Sequence, residues 1–195
     1  MDCESCEEHL SQVLLTGRPR KLMDAIRQGV FSRKYSGEGS ADPATDVLPP
    51  RELQVECHIC PTTGPAAGAR AFLESPPPGV VLCANRLGSR QEVEEAVVHE
   101  LVHAYDYMVA GIELRKCRSL AYSEVRAAHA AECSEASRSF TCSYFKKHCV
   151  RSTAKRSTEG IFPGEGAACV DAVFDAAYKD EGPHNALAGK GGGDT

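Results

Sequence analysis

Ten cysteines in 195 residues constrain what this chain can fold into more than any other feature. They stand at Cys3, Cys6, Cys57, Cys60, Cys83, Cys117, Cys133, Cys142, Cys149 and Cys169. A reducing compartment tolerates such density chiefly when the thiols hold metal. Three readings compete. The first is a set of disulfides formed in an oxidising compartment. The second is a structural zinc site built from Cys3-x-x-Cys6 and Cys57-x-x-Cys60, although about fifty residues between the pairs far exceed a zinc-ribbon spacing. The third is mostly free thiols. The opening segment Met-Asp-Cys-Glu-Ser-Cys-Glu-Glu is acidic and has no apolar core. It reads neither as a secretory signal nor as an Arg-rich transit peptide. The expectation is therefore an oxidising compartment reached without a cleaved presequence.

Charge and composition exclude several function classes. Lys+Arg 22 against Asp+Glu 27 leaves −5, a poor balance for holding duplex DNA, so no direct nucleic-acid binding is expected. No Trp and 6% aromatics leave little for base stacking. No apolar run reaches the ~18 residues that a bilayer span needs. With 42% apolar and 25% charged residues, the chain has the makeup of a folded globular protein. At ~150 residues per domain its length suits a single domain.

Periodicity gives the outline. His9–Gln28 has helical spacing broken by Gly17 and Pro19, which predicts two short helices. Gly37–Pro50 reads as a loop. Leu53–Cys57, Ala66–Leu73 and Val80–Cys83 read as strands, the last two separated by the turn signal Pro76-Pro77-Pro78-Gly79, so Leu53–Cys83 suggests a small antiparallel sheet. Ser89-x-x-Glu92 is a capping box before a helical apolar run through Val93, Ala96, Val97, Leu101, Ala104 and Met108, with Gly111 as its stop. Further helices are expected over Ser119–Arg138, with Ser119 as cap, over Phe140–Val150 as its continuation, and over Ala167–Tyr178. A Gly-rich tail closes the chain over residues 186–195, leaving 1–185 as the domain.

His99-Glu100-Leu101-Val102-His103 is an HExxH motif within the capped helix. Residues four apart on a helix share one face, so both imidazoles can reach a tetrahedral Zn²⁺. Glu100 stands beside the ion, where it can take a proton from an activated water and return it to the leaving amine. The bland alternative is a surface helix with two solvated histidines. A third ligand is required. Glu124, near the start of the next helix, can complete a His₂Glu site from an antiparallel neighbour. Asp106, three residues beyond His103, can ligate, orient a histidine or stay solvated. His129 and Glu132, further along from Glu124, read as surface. The strand Val80–Cys83 precedes the motif and suggests an edge that binds an extended peptide. The expected fold is α+β, a minimal zincin-like domain in which a small antiparallel sheet packs on the active-site helix, with further helices and many disulfides.

The run His99-Glu-Leu-Val-His-Ala-Tyr-Asp106, followed by Ser123-Glu-Val-Arg-Ala-Ala128, resembles the mitochondrial ATP synthase processing and assembly metalloprotease family, also described as Ku-binding-protein-like. Val81–Asn85, Glu132-Cys133-Ser134, Cys149-Val150-Arg151, Val170–Phe174 and Pro183-His184-Asn185 extend the likeness over about Cys3 to Asn185. The resemblance implies a zinc endopeptidase of the intermembrane space, peripheral to the inner membrane. It implies a polypeptide substrate, the mitochondrially encoded membrane subunit of ATP synthase, whose N-terminal extension is removed. It also implies a role in Fo assembly that does not need proteolysis. By position, His99 and His103 match the metal ligands and Glu100 the catalytic residue; Glu124 remains the inferred third ligand. The family pattern carries Cys where this chain has Tyr122, and another near Ala177. Cys117 and Cys169 are present instead, so the resemblance implies that a Cys117–Cys169 bond replaces the missing pair. Two other readings stay open: an assembly chaperone with a secondary or absent protease role, and a nuclear Ku-associated repair adaptor.

Overall fold

The coordinates are a computed structural model, and they describe residues 1–35, 53–64, 67–76, 78–134 and 143–188. The expected loop at Gly37–Pro50 and the tail from Gly189 onward lie outside them. Asp2 opens α1 (Cys3–Leu14) by accepting the Ser5 N–H at 2.8 Å, so this helix begins well before the expected His9. Gly17, at φ 51°, separates α1 from α2 (Gly17–Tyr35), and Pro19 falls in the first turn of α2, where its missing N–H is harmless. The two residues that read as interruptions are thus the joint between two helices, both longer than expected.

The sheet follows with β1 (Gln54–His58), β2 (Ala71–Glu74) and β3 (Gly79–Cys83). Its spatial order is β1-β3-β2, with β3 antiparallel to β2 but parallel to β1. This corrects two expectations. The sheet is mixed rather than antiparallel, and Val80–Cys83 is its central strand rather than an edge. Val80, Leu82 and Cys83 are almost wholly buried, and a continuous apolar run of that kind belongs where neighbours cover it on both sides. The free edge towards the site is β2.

A 3-10 turn at Ala84–Arg86 leads into α3 (Arg90–Met108). Ser89 Oγ accepts the Glu92 N–H at 3.2 Å, as the capping box requires, while the Glu92 carboxylate accepts from Gly88 N instead of closing the box on Ser89. The chain leaves α3 through Gly111 at φ 69°, with Ile112 N–H donating to Asp106 O at 2.8 Å. Next come α4 (Cys117–Ala130), α5 (Ser143–Ile161), α6 (Gly166–Lys179) and the short α7 (Gly182–Ala188). α4 starts at Cys117 without a side-chain cap, so Ser119 lies inside it, and it ends before the expected Arg138. α5 is a separate helix.

Two apolar clusters share α4 as a wall. The first gathers α1, α2, the sheet and α3 around Leu22, Leu82, Val97 and Leu101, and takes in Ala127 and Ala130 of α4. The second gathers α4, α5 and α6 around Val125, Val150, Val170 and Phe174. α2 approaches α3 so closely that a Cβ on Gly29 would sit 2.5 Å from Val109 Cγ1. Arg18 ties three elements together, donating to the Ala130 carbonyl at 2.7 Å and pairing with Glu94 at 3.0 Å.

Among the described residues, four disulfides join Cys6–Cys57, Cys60–Cys83, Cys117–Cys169 and Cys133–Cys149. Cys6, Cys57 and Cys60 are thereby spent, which removes the two-pair zinc reading. Cys3 is a free thiol. Cys117–Cys169 links α4 to α6, as the resemblance implies. Tyr122 and Ala177, where the family pattern has cysteines, meet in the second cluster on the same two helices.

Candidate active site

α3 is buried on nearly every side, and this decides the fate of its histidines. His99 is 9% exposed, His103 6% and Glu100 7%, so the solvated-helix alternative fails. The four-residue spacing stacks the two rings edge-to-face with centroids 4.8 Å apart and brings His99 Nε2 within 3.1 Å of His103 Nε2. α4 crosses α3 and delivers Glu124 to the same point. Its carboxylate oxygens lie 3.3 Å from His99 Nε2 and 3.4 Å from His103 Nε2. One ligand atom from each of the three residues lies within 4.8 Å of the others.

The other ring nitrogens are already engaged. His103 Nδ1 lies 2.7 Å from Ser123 Oγ, and His99 Nδ1 3.2 Å from the Glu132 carboxylate. Arg70 in turn holds Glu132 at 3.3 Å. Partners of this kind fix the tautomer and turn Nε2 inward as a lone-pair donor. Glu124 Oε2 is buried and accepts no hydrogen bond from the protein. Two inward imidazole nitrogens and one orphaned carboxylate oxygen form a donor set that fits a divalent, borderline-soft cation such as Zn²⁺.

Without a cation the charges distort one another. Burial alone would lower His99, but the carboxylates of Glu132 and Glu124 outweigh it and raise His99 well above the ordinary imidazole value. His103 is raised in the same way, against its own burial, chiefly by Glu124. Burial would raise Glu124, yet the two imidazoles hold it far below the carboxylate range. Glu100 goes the other way: burial raises it, and the nearby imidazoles only partly offset that.

Asp106 does not join the cluster. It is wholly buried and faces α4, where Arg126 Nη1 lies 3.2 Å from its Oδ1. Arg126 continues to Asp180 at 3.5 Å, and Tyr122 donates its hydroxyl to Asp180. His129 stacks on Tyr178 at 4.6 Å between centroids, away from the site. Two roles escape the sequence reading. Ser123 holds His103, and Glu132, read as surface, holds His99. Glu132 stands eight residues after Glu124, in the turn just beyond the end of α4, so helical periodicity gives no signal for it.

The site opens into a cleft of about 1080 Å³. β2 forms one wall with Ala71, Phe72 and Leu73; the end of α5 forms the other with Arg156, Ser157 and Ile161. An extended chain can lie between them with its backbone over the two histidines.

The model described as the Peptidase M76 family matches residues 36–185. The mitochondrial inner membrane protease ATP23 of Lodderomyces elongisporus is 28% identical over 192 residues, covering 93% of this chain and 71% of that protein. The mitochondrial inner membrane protease ATP23 homolog of Danio rerio is 37% identical over 114 residues, 53% of this chain and 44% of its own. The protein of the same name from Botryotinia fuckeliana is 28% identical over 202 residues, 95% of this chain and 75% of its own. No solved structure matches.

Proposed function

This chain belongs to the Peptidase M76 family and is a peptidase, and from that premise we propose that it is a zinc metalloendopeptidase of the mitochondrial intermembrane space, peripheral to the inner membrane. Its proposed substrate is the mitochondrially encoded membrane subunit of ATP synthase, from which it removes an N-terminal extension, and it also assists Fo assembly. The observation that carries the reading is the meeting of His99 Nε2, His103 Nε2 and Glu124 at the floor of the cleft, with Glu100 buried beside them. The proposed body is a single zincin-like domain over residues 1–185.

The chemistry follows from those positions. β2 is the free edge of the sheet and a wall of the cleft, so its main chain can pair with an extended substrate; this takes over the role expected of Val80–Cys83. His99, His103 and Glu124 would hold Zn²⁺, which supplies Lewis acidity to water and to the scissile carbonyl. Glu100 takes the proton of the attacking water and delivers it to the departing amine. Burial lifts its pKa above the ordinary carboxylate value, which strengthens it as a proton acceptor. Ser123 and Glu132 keep the imidazoles aimed while the substrate enters.

The test pairs metal content with cleavage of a peptide. Wild type should bind one divalent ion per chain, and His103→Ala should bind none. Glu100→Gln should keep the ion and lose about 10²–10⁴-fold in cleavage rate. Cleavage by Glu100→Gln at the wild-type rate would sink the assignment. If the assembly role is separate, Glu100→Gln still supports ATP synthase assembly.

A further inference from the structure

Residues 136–158 contain no Asp or Glu, yet carry Arg138, Lys146, Lys147, Arg151, Lys155 and Arg156, in a chain of net charge −5. The cations of α5 divide by task. Arg151 and Lys155 pair with Asp171 of α6 at 3.6 and 2.7 Å, and Arg151 also lies over the Phe174 ring, so these two brace the helix pair. Arg156 lines the cleft. Lys146 and Lys147 stand at the opposite end of the helix, directly after Tyr144 and Phe145. Those two rings are 72% and 60% exposed and meet edge-to-face at 5.9 Å between centroids. Lys147 also reaches over the Tyr178 ring at 5.4 Å.

Two adjacent exposed rings are poor company for water. Next to lysines, they match the boundary between lipid headgroups and acyl chains, where rings sink and ammonium groups meet phosphate. None of the helices searched among the described residues is long and apolar enough to cross a membrane. We infer that Tyr144, Phe145, Lys146 and Lys147, at the start of α5, dock this peptidase on a bilayer surface carrying anionic phospholipid. The inference rests on the reading that the chain works at a membrane. Charge complementarity selects the occupant, since the patch is cationic on an acidic protein. The rings favour a bilayer over an acidic protein surface, which would draw the lysines but offer the aromatics nowhere to insert. The other end of the same helix lines the cleft. Phe145 and Arg156 lie eleven positions apart, so the docking end stands about 17 Å from the cleft wall by helical rise.

The experiment is flotation of the full oxidised chain with vesicles of phosphatidylcholine, alone or mixed with phosphatidylglycerol, at low and high salt. Wild type should float with the mixed vesicles at low salt and be released by high salt. Lys146→Glu/Lys147→Glu should weaken binding by at least about tenfold, and Tyr144→Ser/Phe145→Ser should weaken it without changing the salt dependence. Both variants should cleave a short soluble peptide at the wild-type rate, which also shows that they are folded. Failure of wild type to bind mixed vesicles, equal binding to neutral ones, or undiminished binding by both variants would overturn the inference. Failure of wild type to cleave the peptide would count against the peptidase reading instead, because flotation does not require the reaction.

Discussion

His99 gives its Nδ1 to a carboxylate and His103 gives its own to a hydroxyl, and each partner can be removed separately. Glu132→Ala should weaken metal binding by about 10–100-fold, as should Ser123→Ala, read by competition with a chromophoric chelator. Unchanged affinity in Glu132→Ala would return that residue to the surface. The metal-stripped protein has its own pH signature. His99 is raised above its ordinary 6.5, so its pairing contributes fully below that pH and is lost as pH rises through the higher folded value. Glu124 is depressed from 4.5, so its contribution is present above that pH and lost as pH falls through the lower folded value. Thermal stability of the stripped chain should therefore be greatest between these limits and decline above pH 6.5, while metal affinity rises over the same range. A flat profile would mean that the imidazoles and carboxylates do not interact. At this scale the HExxH spacing makes His99, Glu100 and His103 legible in the chain, because a helix fixes that geometry locally. Asp106 shows the limit: its turn of α3 is legible, but that it faces Arg126 depends on how α4 crosses.

The joint between α3, α4 and the C-terminal segment turns on Arg126. It sits nearly buried between Asp106 and Asp180, and Gly182 leaves room for it, since a Cβ there would lie 2.5 Å from Arg126 Nη2. Arg126→Ala strands the buried Asp106 carboxylate and should destabilise the protein by about 3–5 kcal/mol. For a chain this long that is a fall in Tm of roughly 10 °C. Adding Asp106→Asn should recover part of the loss; a double variant no more stable than the single one would show that the pair is not the cause. The ends of α3 are legible in the sequence because Ser89 and Gly111 act through nearby backbone, and Gly17 marks the joint of α1 and α2; the cap at Asp2 and the start of α4 at Cys117 rather than Ser119 are not. Neither is strand order. β3 looks like an edge when read in sequence, and only its pairing with β1 along one side and β2 along the other shows that it is central.

Over the whole molecule the disulfides add covalent constraint to the two packed clusters. Each closes a loop whose chain entropy corresponds to about 3–4 kcal/mol, from the 16-residue separation of Cys133–Cys149 to the 52 of Cys117–Cys169. Cys117→Ser/Cys169→Ser should lower stability by about 4 kcal/mol and loosen α4 against α6. Peptide mapping without reductant should recover all four pairs, and a free Cys117 or Cys169 would refute the substitution for the missing family pair. The cysteine count makes the oxidised state legible; the partners are not, since pairing is decided by which helices pack. All four bonds fall on one side or the other of α3. Cys6–Cys57 and Cys60–Cys83 close before it begins, and Cys117–Cys169 and Cys133–Cys149 open after it ends. A chain threaded through a pore with its N-terminus leading can therefore lock its first half covalently while the second is still in transit. The histidines would then follow a segment already cross-linked, and Glu124 would arrive after them to complete the cluster.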